Sequence, residues 1–230
     1  MIQENILTVQ ENIKRTCERA GRKPEEVTLI AVSKTKPLSM LEEAYAAGMR
    51  EFGENKPQEM RDKAKLWDVP VHWHMIGTLQ SNKIKYVVGT ACMIHSVDSL
   101  ALAMAIEKEA AKKELKMDIL LEINMAKEES KHGFSETDVY EAVTEISKMP
   151  HLRLRGLMTV APYTENAEEN RIYFRKMKEL LVDINSKNID NISMDSLSMG
   201  MSSDYKVAIE EGATMVRVGT GIFGERNYSK

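Results

Sequence analysis

The chain has 230 residues, of which 43% are hydrophobic, and its formal net charge at pH 7 is −3. This length allows one large α/β domain or two small ones, and the small charge argues against nucleic acid or an anionic membrane as the main partner. No segment is apolar enough to span a bilayer. The N-terminus lacks the basic-then-apolar order of a signal peptide, so we expect a cytoplasmic protein. The two cysteines, Cys17 and Cys92, match no metal or redox spacing and are predicted to be small buried hydrophobes.

The first predicted element is an amphipathic helix. Its apolar residues recur at helical spacing from Ile2 to Ala20, and Gly21 follows as a stop. Eight short apolar, β-branched runs come next, and helical patterns fill most of the intervals between them. The predicted strands are Val27–Val32, Arg50–Phe52, Val71–Ile76, Met93–Val97, Asp118–Ile123, Leu152–Met158, Met194–Met199 and Thr214–Val218.

Eight strands that alternate with helices predict a parallel sheet. We therefore predict an α/β fold, a TIM-type (β/α)8 barrel with an extra N-terminal helix, which occupies residues 1–230 as a single domain. An open doubly wound sheet is the alternative. It is weakened because no Gly-x-Gly-x-x-Gly sequence follows the first strand.

Lys34 lies where the first predicted strand ends. A lysine at the end of a fully buried strand is unusual, and a desolvated amine has a depressed pKa that makes it a nucleophile toward aldehydes. The alternative is a lysine that reaches the surface at the end of a strand. Lys34 on its own favours this alternative, whereas the rest of the sequence favours the reactive amine.

The other polar residues at the carboxyl ends of the strands suit a phosphorylated ligand, because that end of a TIM barrel carries the active site. They contain no pair of carboxylates. Hydroxyls after the seventh strand and glycine amides after the eighth strand lie where phosphate sites are common in this fold. Arg217 is predicted to face a ring nitrogen or an oxyanion, or else to form a structural ion pair. The set is Lys34, Asn55, Gly77, Thr78, Ser96, Asn124, Thr159, Ser198 to Ser202 and Arg217 to Gly221.

Three histidines offer weaker signals. His72 and His74 are spaced so that both point the same way from a strand, but no third ligand is evident nearby in the sequence, so we predict no metal site. His95 is predicted to be a packed histidine beside a helix cap at Asp98.

Taken together, these segments resemble the pyridoxal phosphate homeostasis proteins, stand-alone relatives of the alanine racemase barrel. Each segment is unspecific alone, but the combination is specific and extends over nearly the whole chain. The matching segments are Ala31 to Pro37, Phe52 to Asn55, Trp73 to Lys83, Leu154 to Met158, Leu197 to Ser202, Val216 to Thr220 and Phe223 to Gly224.

The resemblance implies that Lys34 carries pyridoxal 5′-phosphate as an internal aldimine. It also implies that Arg217 lies at the pyridine nitrogen and Asn55 near the ring. Around the phosphate it places Ser198, Ser202, Gly219 and Thr220. Lys36 is the rival Schiff-base lysine, although its position before Pro37 favours a role in the turn.

The resemblance implies a binding protein that holds the cofactor reversibly, helps to balance the vitamin B6 and amino-acid pools, and passes the cofactor to apo enzymes. The alternatives are an inefficient pyridoxal-dependent racemase and a barrel enzyme that forms a Schiff base with a phosphorylated carbonyl substrate. Racemases of this type add a C-terminal β domain with a tyrosine base, whereas this chain ends at Lys230. We therefore expect no robust catalytic activity, and we expect a monomer.

Overall fold

Eight parallel strands close into a barrel in chain order, from β1 next to β2 around to β8, which pairs with β1. The computed structural model describes residues 1–127 and 132–225. The TIM-type prediction is confirmed, and each of the eight strands begins and ends within two residues of its predicted bounds. The strands are β1 (Thr28–Val32), β2 (Glu51–Glu54), β3 (His72–Met75), β4 (Ala91–Val97), β5 (Met117–Glu122), β6 (Leu152–Met158), β7 (Ser196–Met201) and β8 (Met215–Val218).

Helices surround the barrel and connect its strands. They are α1 (Ile2–Arg19), α2 (Leu38–Ala46), α3 (Pro57–Leu66), α4 (Leu100–Lys112), α5 (Asp138–Ile146), α6 (Arg171–Ser186), α7 (Tyr205–Glu210) and α8 (Thr220–Phe223). A 3₁₀ helix, Ser81–Tyr86, takes the place of an α-helix between β3 and β4. Within the described residues, no helix is both long and apolar enough to cross a membrane.

The extra N-terminal helix α1 packs against α2, α7 and α8. Its buried stripe contains Ile6, Val9, Ile13 and Cys17 as predicted, but Thr16 is also buried, whereas Ala20 is exposed. A fully buried isoleucine contributes roughly 1.5–3 kcal/mol relative to an exposed one, so this stripe is sufficient to hold α1 against the barrel.

Two kinds of side chain fill the barrel interior. Met93, Leu120 and Met158 form a small apolar cluster that is separate from the main core between the strands and the helices. His95 lies two residues after Met93 on β4, and alternate residues of a strand share a face. His95 therefore also faces the interior, which contains both apolar and polar side chains.

Candidate functional site

Lys34 lies in a turn immediately after β1, at the carboxyl end of the barrel. It is partly buried rather than fully buried, which differs from the sequence prediction. The reason is that β1 ends at Val32, so the chain has already turned toward solvent at Lys34. Thr35, the next residue, has a positive φ of 62°, a conformation uncommon for a residue that is not glycine.

A buried cluster of charges holds this turn in place. Lys63 Nζ, on α3, lies 2.7 Å from Glu54 Oε1 and donates a 2.8 Å hydrogen bond to the Ser33 carbonyl oxygen. The Ser33 hydroxyl donates to the same Glu54 oxygen at 2.6 Å. The Thr35 amide donates to Glu59 Oε1 at 2.6 Å, and that carboxylate also pairs with Lys63. The backbone on both sides of Lys34 is therefore fixed by ionic side chains.

Glu54 is the most constrained member of this cluster. Its side chain is fully buried, and its second oxygen, Oε2, has no hydrogen-bond partner. Burial raises the pKa of Glu54, and the charge and hydrogen bond of Lys63 offset part of that rise. The carboxylate depends on Lys63 because an unpaired buried charge is costly.

Lys36, the rival Schiff-base lysine, has a different environment. Its Nζ lies 3.3 Å from the carbonyl oxygens of Phe223 and Gly224 and 3.4 Å from that of Glu225. These contacts tie the loop after β1 to the end of α8. The Lys36 amine is thus engaged in holding the fold, which favours Lys34 as the reactive amine.

Asn55 follows β2 directly and lies beside the loop after β3. Gly77 packs against the Asn55 backbone so closely that a Cβ atom at position 77 would overlap the Asn55 carbonyl oxygen. A glycine is therefore required at position 77 for Asn55 to keep its place at the barrel mouth.

The loops after β7 and β8 are joined by one hydroxyl. Ser202 Oγ accepts hydrogen bonds from the amides of Gly219 and Gly221, each at 3.2 Å. Thr220 lies between those glycines and is exposed. Two backbone amides therefore converge on one oxygen atom, which is a donor arrangement that suits a phosphate group.

Arg217 extends into the barrel from β8 and is only 4% exposed. Its Nη1 donates to Ser198 Oγ at 2.6 Å, and its Nη2 donates to the Thr159 carbonyl oxygen at 2.8 Å. Burial lowers the pKa of Arg217 to about 10. The guanidinium is therefore a cation at neutral pH that is held by two neutral acceptors.

A hydrogen-bonded chain continues from Arg217 through the barrel. Ser198 Oγ lies 2.8 Å from His95 Nδ1, and His95 Nε2 lies 2.9 Å from His74 Nδ1. His74 Nε2 lies 2.7 Å from Glu51 Oε2, at the start of β2. The chain links a cation near the carboxyl ends of the strands to a carboxylate at their amino ends.

The two end groups of this hydrogen-bonded chain determine which atom is the donor in each of its bonds. Arg217 can only donate. Burial raises the pKa of Glu51, but the hydrogen bonds from His74 and His72 outweigh it and leave the pKa lowered. This carboxylate therefore only accepts hydrogen bonds. Burial keeps the pKa of His95 well below its usual value, so that ring is neutral. With a neutral His74, the donor in each of these hydrogen bonds is the group nearer to Arg217, and the acceptor is the group nearer to Glu51.

A cavity of about 230 Å³ opens beside Arg217 at this mouth. One wall is the segment after β6, Val160 to Tyr163, and the other is formed by the end of β7 and the loop after it, with Gly200, Met201, Ser203 and Asp204. Asp204 is buried and shapes the second wall, because its carboxylate accepts from the Met201 amide at 2.7 Å and from Asn170 Nδ2 at 2.8 Å. A small ligand in this space would lie next to the guanidinium.

The family model for the alanine racemase N-terminal domain matches residues 5–227 of this chain. The pyridoxal phosphate homeostasis protein of Aquifex aeolicus is 43% identical over 98% of this chain and 98% of its own length. The corresponding protein of Escherichia coli K12 is 39% identical over 100% of this chain and 98% of its own length. The chain belongs to this family.

Solved structures agree with this membership. PipY of Synechococcus elongatus, solved with pyridoxal phosphate bound, is 34% identical, with a TM-score of 0.85 over 97% of this chain and 100% of the PipY chain. An alanine racemase of Clostridium difficile is 14% identical, with a TM-score of 0.73 over 99% of this chain and 57% of the racemase chain. The racemase comparison shows a shared barrel fold.

The predicted site residues fall into two groups. Lys34, Asn55, Ser202 and Gly219 lie on loops at the carboxyl end of the barrel, and Thr220 is there the first residue of α8, whereas Ser198 and Arg217 lie inside the barrel on strands β7 and β8. The Ser198 hydroxyl already has two partners, so its geometry favours positioning Arg217 over contact with a phosphate. The part of Ser198 in phosphate binding remains a prediction.

Sequence reasoning missed the residues that hold these groups in place. Glu59 and Lys63 gave no motif signal beyond their four-residue spacing on α3. Glu54 lies in the segment Phe52 to Asn55 that matches the family, but it was assigned no role. The helix cap predicted at Asp98 is wrong, because Ser99 accepts from the Leu102 amide instead. The prediction of a buried Cys92 is also wrong, since this residue is exposed.

Proposed function

We propose that this protein binds pyridoxal 5′-phosphate through Lys34 and thereby buffers the cofactor within the vitamin B6 pool. The observation that carries the proposal is the combination of one primary amine at the barrel mouth with a convergent set of anion donors nearby. The family membership and the pyridoxal phosphate bound to PipY support it.

Lys34 would supply the covalent attachment. Bound pyridoxal phosphate supplies an aldehyde, whose carbon bonds to an amine nitrogen with loss of one water. The charged cluster of Glu54, Glu59 and Lys63 fixes the backbone on both sides of Lys34. The turn therefore presents the amine in one place before any ligand arrives, which reduces the entropic cost of binding.

Ser202, Gly219 and Thr220 would hold the phosphate. The amides of Gly219 and Gly221 already point toward one oxygen atom, Ser202 Oγ. A phosphate oxygen is a stronger acceptor than a hydroxyl because it is charged. We infer that the phosphate takes over these amide bonds, while Ser202 donates its own hydrogen to the phosphate.

Arg217 would face the pyridine nitrogen, with Ser198 holding the guanidinium and Asn55 near the ring. With a pKa of about 10, Arg217 remains cationic at neutral pH. A fixed cation disfavours protonation of a nearby ring nitrogen, and a protonated ring is what makes this cofactor a strong electron sink. The arrangement therefore weakens the electron sink, and we propose that the protein has no robust catalytic activity.

The partial burial of Lys34 suits reversible binding. A fully buried amine would be closed to incoming amines, whereas Lys34 retains contact with solvent. We propose that the amine of an acceptor, such as an apo enzyme that requires this cofactor, displaces Lys34 at the aldehyde carbon and releases the cofactor.

The test is borohydride reduction of the purified protein after soaking in pyridoxal phosphate, followed by peptide mapping. Lys34→Arg and Lys36→Arg are matched variants, because each keeps a cation and removes one amine. We expect the reduced adduct on the peptide that contains Lys34 in the unaltered protein and in Lys36→Arg, and no adduct in Lys34→Arg. An adduct at Lys36, or no adduct at all, would overturn the proposal.

A racemisation assay separates a carrier from a catalyst. We expect no steady interconversion of amino-acid enantiomers by the protein loaded with pyridoxal phosphate. Steady racemisation that disappears in Lys34→Arg would show that the protein is a catalyst and would refute the storage role.

A further inference from the structure

Three side chains with metal-binding groups meet toward the amino ends of β2, β3 and β4, at the opposite end of the barrel from Lys34. Ligand atoms of Glu51, His74 and Cys92 all lie within 4.8 Å of one another. These residues are referred to below as the floor cluster.

A β-bulge in β4 brings Cys92 into this cluster. On β4, Ala91 pairs with Trp73 and Met93 pairs with His74, which leaves Cys92 as the extra residue of a bulge. A bulge changes the direction of the side chain that it carries. As a result, Cys92 Sγ lies 3.6 Å from His74 Nε2. In a regular strand, the side chains of Cys92 and Met93 would point to opposite faces of the sheet.

We propose that Glu51, His74 and Cys92 bind a Zn²⁺ ion as three protein ligands, with a water molecule in the fourth position. Imidazole nitrogen, thiolate sulfur and carboxylate oxygen are the ligands that zinc takes in proteins, usually four of them in a tetrahedron. The site is independent of the proposed cofactor function, because it uses none of the residues at the Lys34 mouth.

The distances require only a small adjustment. Ligand atoms that surround one tetrahedral zinc at about 2.0–2.3 Å lie about 3.3–3.8 Å apart. The distance from His74 Nε2 to Cys92 Sγ is already 3.6 Å. The distance from His74 Nε2 to Glu51 Oε2 is 2.7 Å, so a rotation of the partly exposed Glu51 side chain must open it by somewhat less than about 1 Å.

The surroundings of His74 also suit a metal ligand. A metal-bound histidine normally donates its other ring N–H to a fixed acceptor, which sets the ring orientation. His74 Nδ1 lies 2.9 Å from His95 Nε2, and the His95 ring is fully buried. With zinc on Nε2, the His74 Nδ1–H donates to His95, whose own Nδ1–H then donates to Ser198 Oγ.

Charge at the floor cluster favours a cation. Glu51 contributes a carboxylate to the cluster, and a thiol that coordinates zinc is deprotonated by the ion. Binding of zinc therefore releases the thiol proton and leaves one carboxylate and one thiolate to balance the two charges of the ion.

The test is titration of the reduced, full-length protein with Co²⁺ and with Zn²⁺. Cobalt reports a thiolate ligand by a sulfur-to-metal charge-transfer band in the near ultraviolet. Cys17→Ser is the matched control, because Cys17 lies on the buried face of α1 and outside the floor cluster. We expect one Co²⁺ per chain and the thiolate band in the unaltered protein, in Cys17→Ser and in Lys34→Arg.

In Cys92→Ser, we expect the thiolate band to disappear and the zinc affinity in a chelator competition assay to fall by at least about tenfold. Glu51→Gln is the second variant and should weaken zinc binding to a similar degree. Circular dichroism establishes that each variant is folded. Absence of saturable metal binding, or a thiolate band that persists in Cys92→Ser, would overturn the proposal without affecting the cofactor proposal.

Discussion

The two sides of the barrel mouth hold their cations in opposite ways. On the Lys34 side, the carboxylates of Glu54 and Glu59 and the ammonium group of Lys63 form a buried ionic cluster under the turn. On the other side, the Arg217 guanidinium donates to the Ser198 hydroxyl and the Thr159 carbonyl, both of which are neutral. The first side is anchored by charge and the second by hydrogen-bond geometry.

This difference predicts different responses to mutation and pH. Removing one member of a buried ionic cluster leaves an uncompensated charge, whereas removing one neutral acceptor leaves an unsatisfied polar group, which costs less. The Lys34 side is expected to be the more sensitive to pH, since its anchor contains a carboxyl group with a perturbed pKa.

The largest effect is expected for Lys63→Met. The substitution leaves the fully buried Glu54 carboxylate without its cation, and loss of one partner from such a pair costs about 3–5 kcal/mol. Urea denaturation at pH 7 measures the loss in the free energy of unfolding. Lys65→Met, at an exposed position on the same helix, is the control and should change the stability little.

The Lys63→Met penalty should also depend on pH. The folded state holds the Glu54 proton more tightly than the unfolded chain does, because its pKa is raised above the ordinary 4.5. The contribution of Glu54 to the free energy of unfolding therefore falls as the pH rises from the pKa of the carboxyl group in the unfolded chain through its pKa in the folded protein. The penalty should therefore shrink on acidification, and a penalty that is constant with pH would show that the charge of Glu54 is not its cause.

An intermediate effect is expected for Gly200→Ala, beside the Arg217 side of the mouth. Gly200 has a φ of +93°, and a Cβ atom there would lie 2.6 Å from the Ala208 Cβ. Left-handed strain of about 1–2 kcal/mol and overpacking of about 1–3 kcal/mol together predict a loss of about 2–5 kcal/mol. Thermal or urea denaturation measures it.

Gly21→Ala separates the two causes. Gly21 also has a positive φ, of +67°, but a Cβ atom there would meet nothing within 4 Å. This variant should lose only the backbone contribution of about 1–2 kcal/mol. Equal losses in the two variants would refute a steric role for the Gly200 contact with α7.

The smallest effect of the three is expected for Ser198→Ala. It removes the acceptor of Arg217 Nη1 and the partner of His95 Nδ1, which should lower the free energy of unfolding by about 1–3 kcal/mol. Ser203→Ala, at an exposed position, is the control. Because His95 is neutral and Arg217 has a pKa of about 10, this loss should be the same from pH 6 to pH 8. A loss that varies strongly in that interval would contradict the neutral anchoring of Arg217.

Sequence patterns were informative wherever a signal was local. Apolar periodicity located α1 and all eight strands, and the glycines after β8 identified a loop able to approach an anion. Lys34 was recognisable because it directly follows an apolar β-branched run. Each of these signals is contained within about twenty consecutive residues, so it can be read without knowing the fold.

The amino-acid order by itself determined the alternation of strands and helices, and with it the end of the barrel at which Lys34 and the glycine loops would lie. Only the tertiary structure decided which side chains meet inside. The contact between His95 and Ser198 spans 103 positions, and Cys92 reaches His74 through a bulge that shifts the strand register. The physical reason is that a closed sheet brings distant strands within hydrogen-bond distance, and the register that aligns their side chains is a property of the whole barrel.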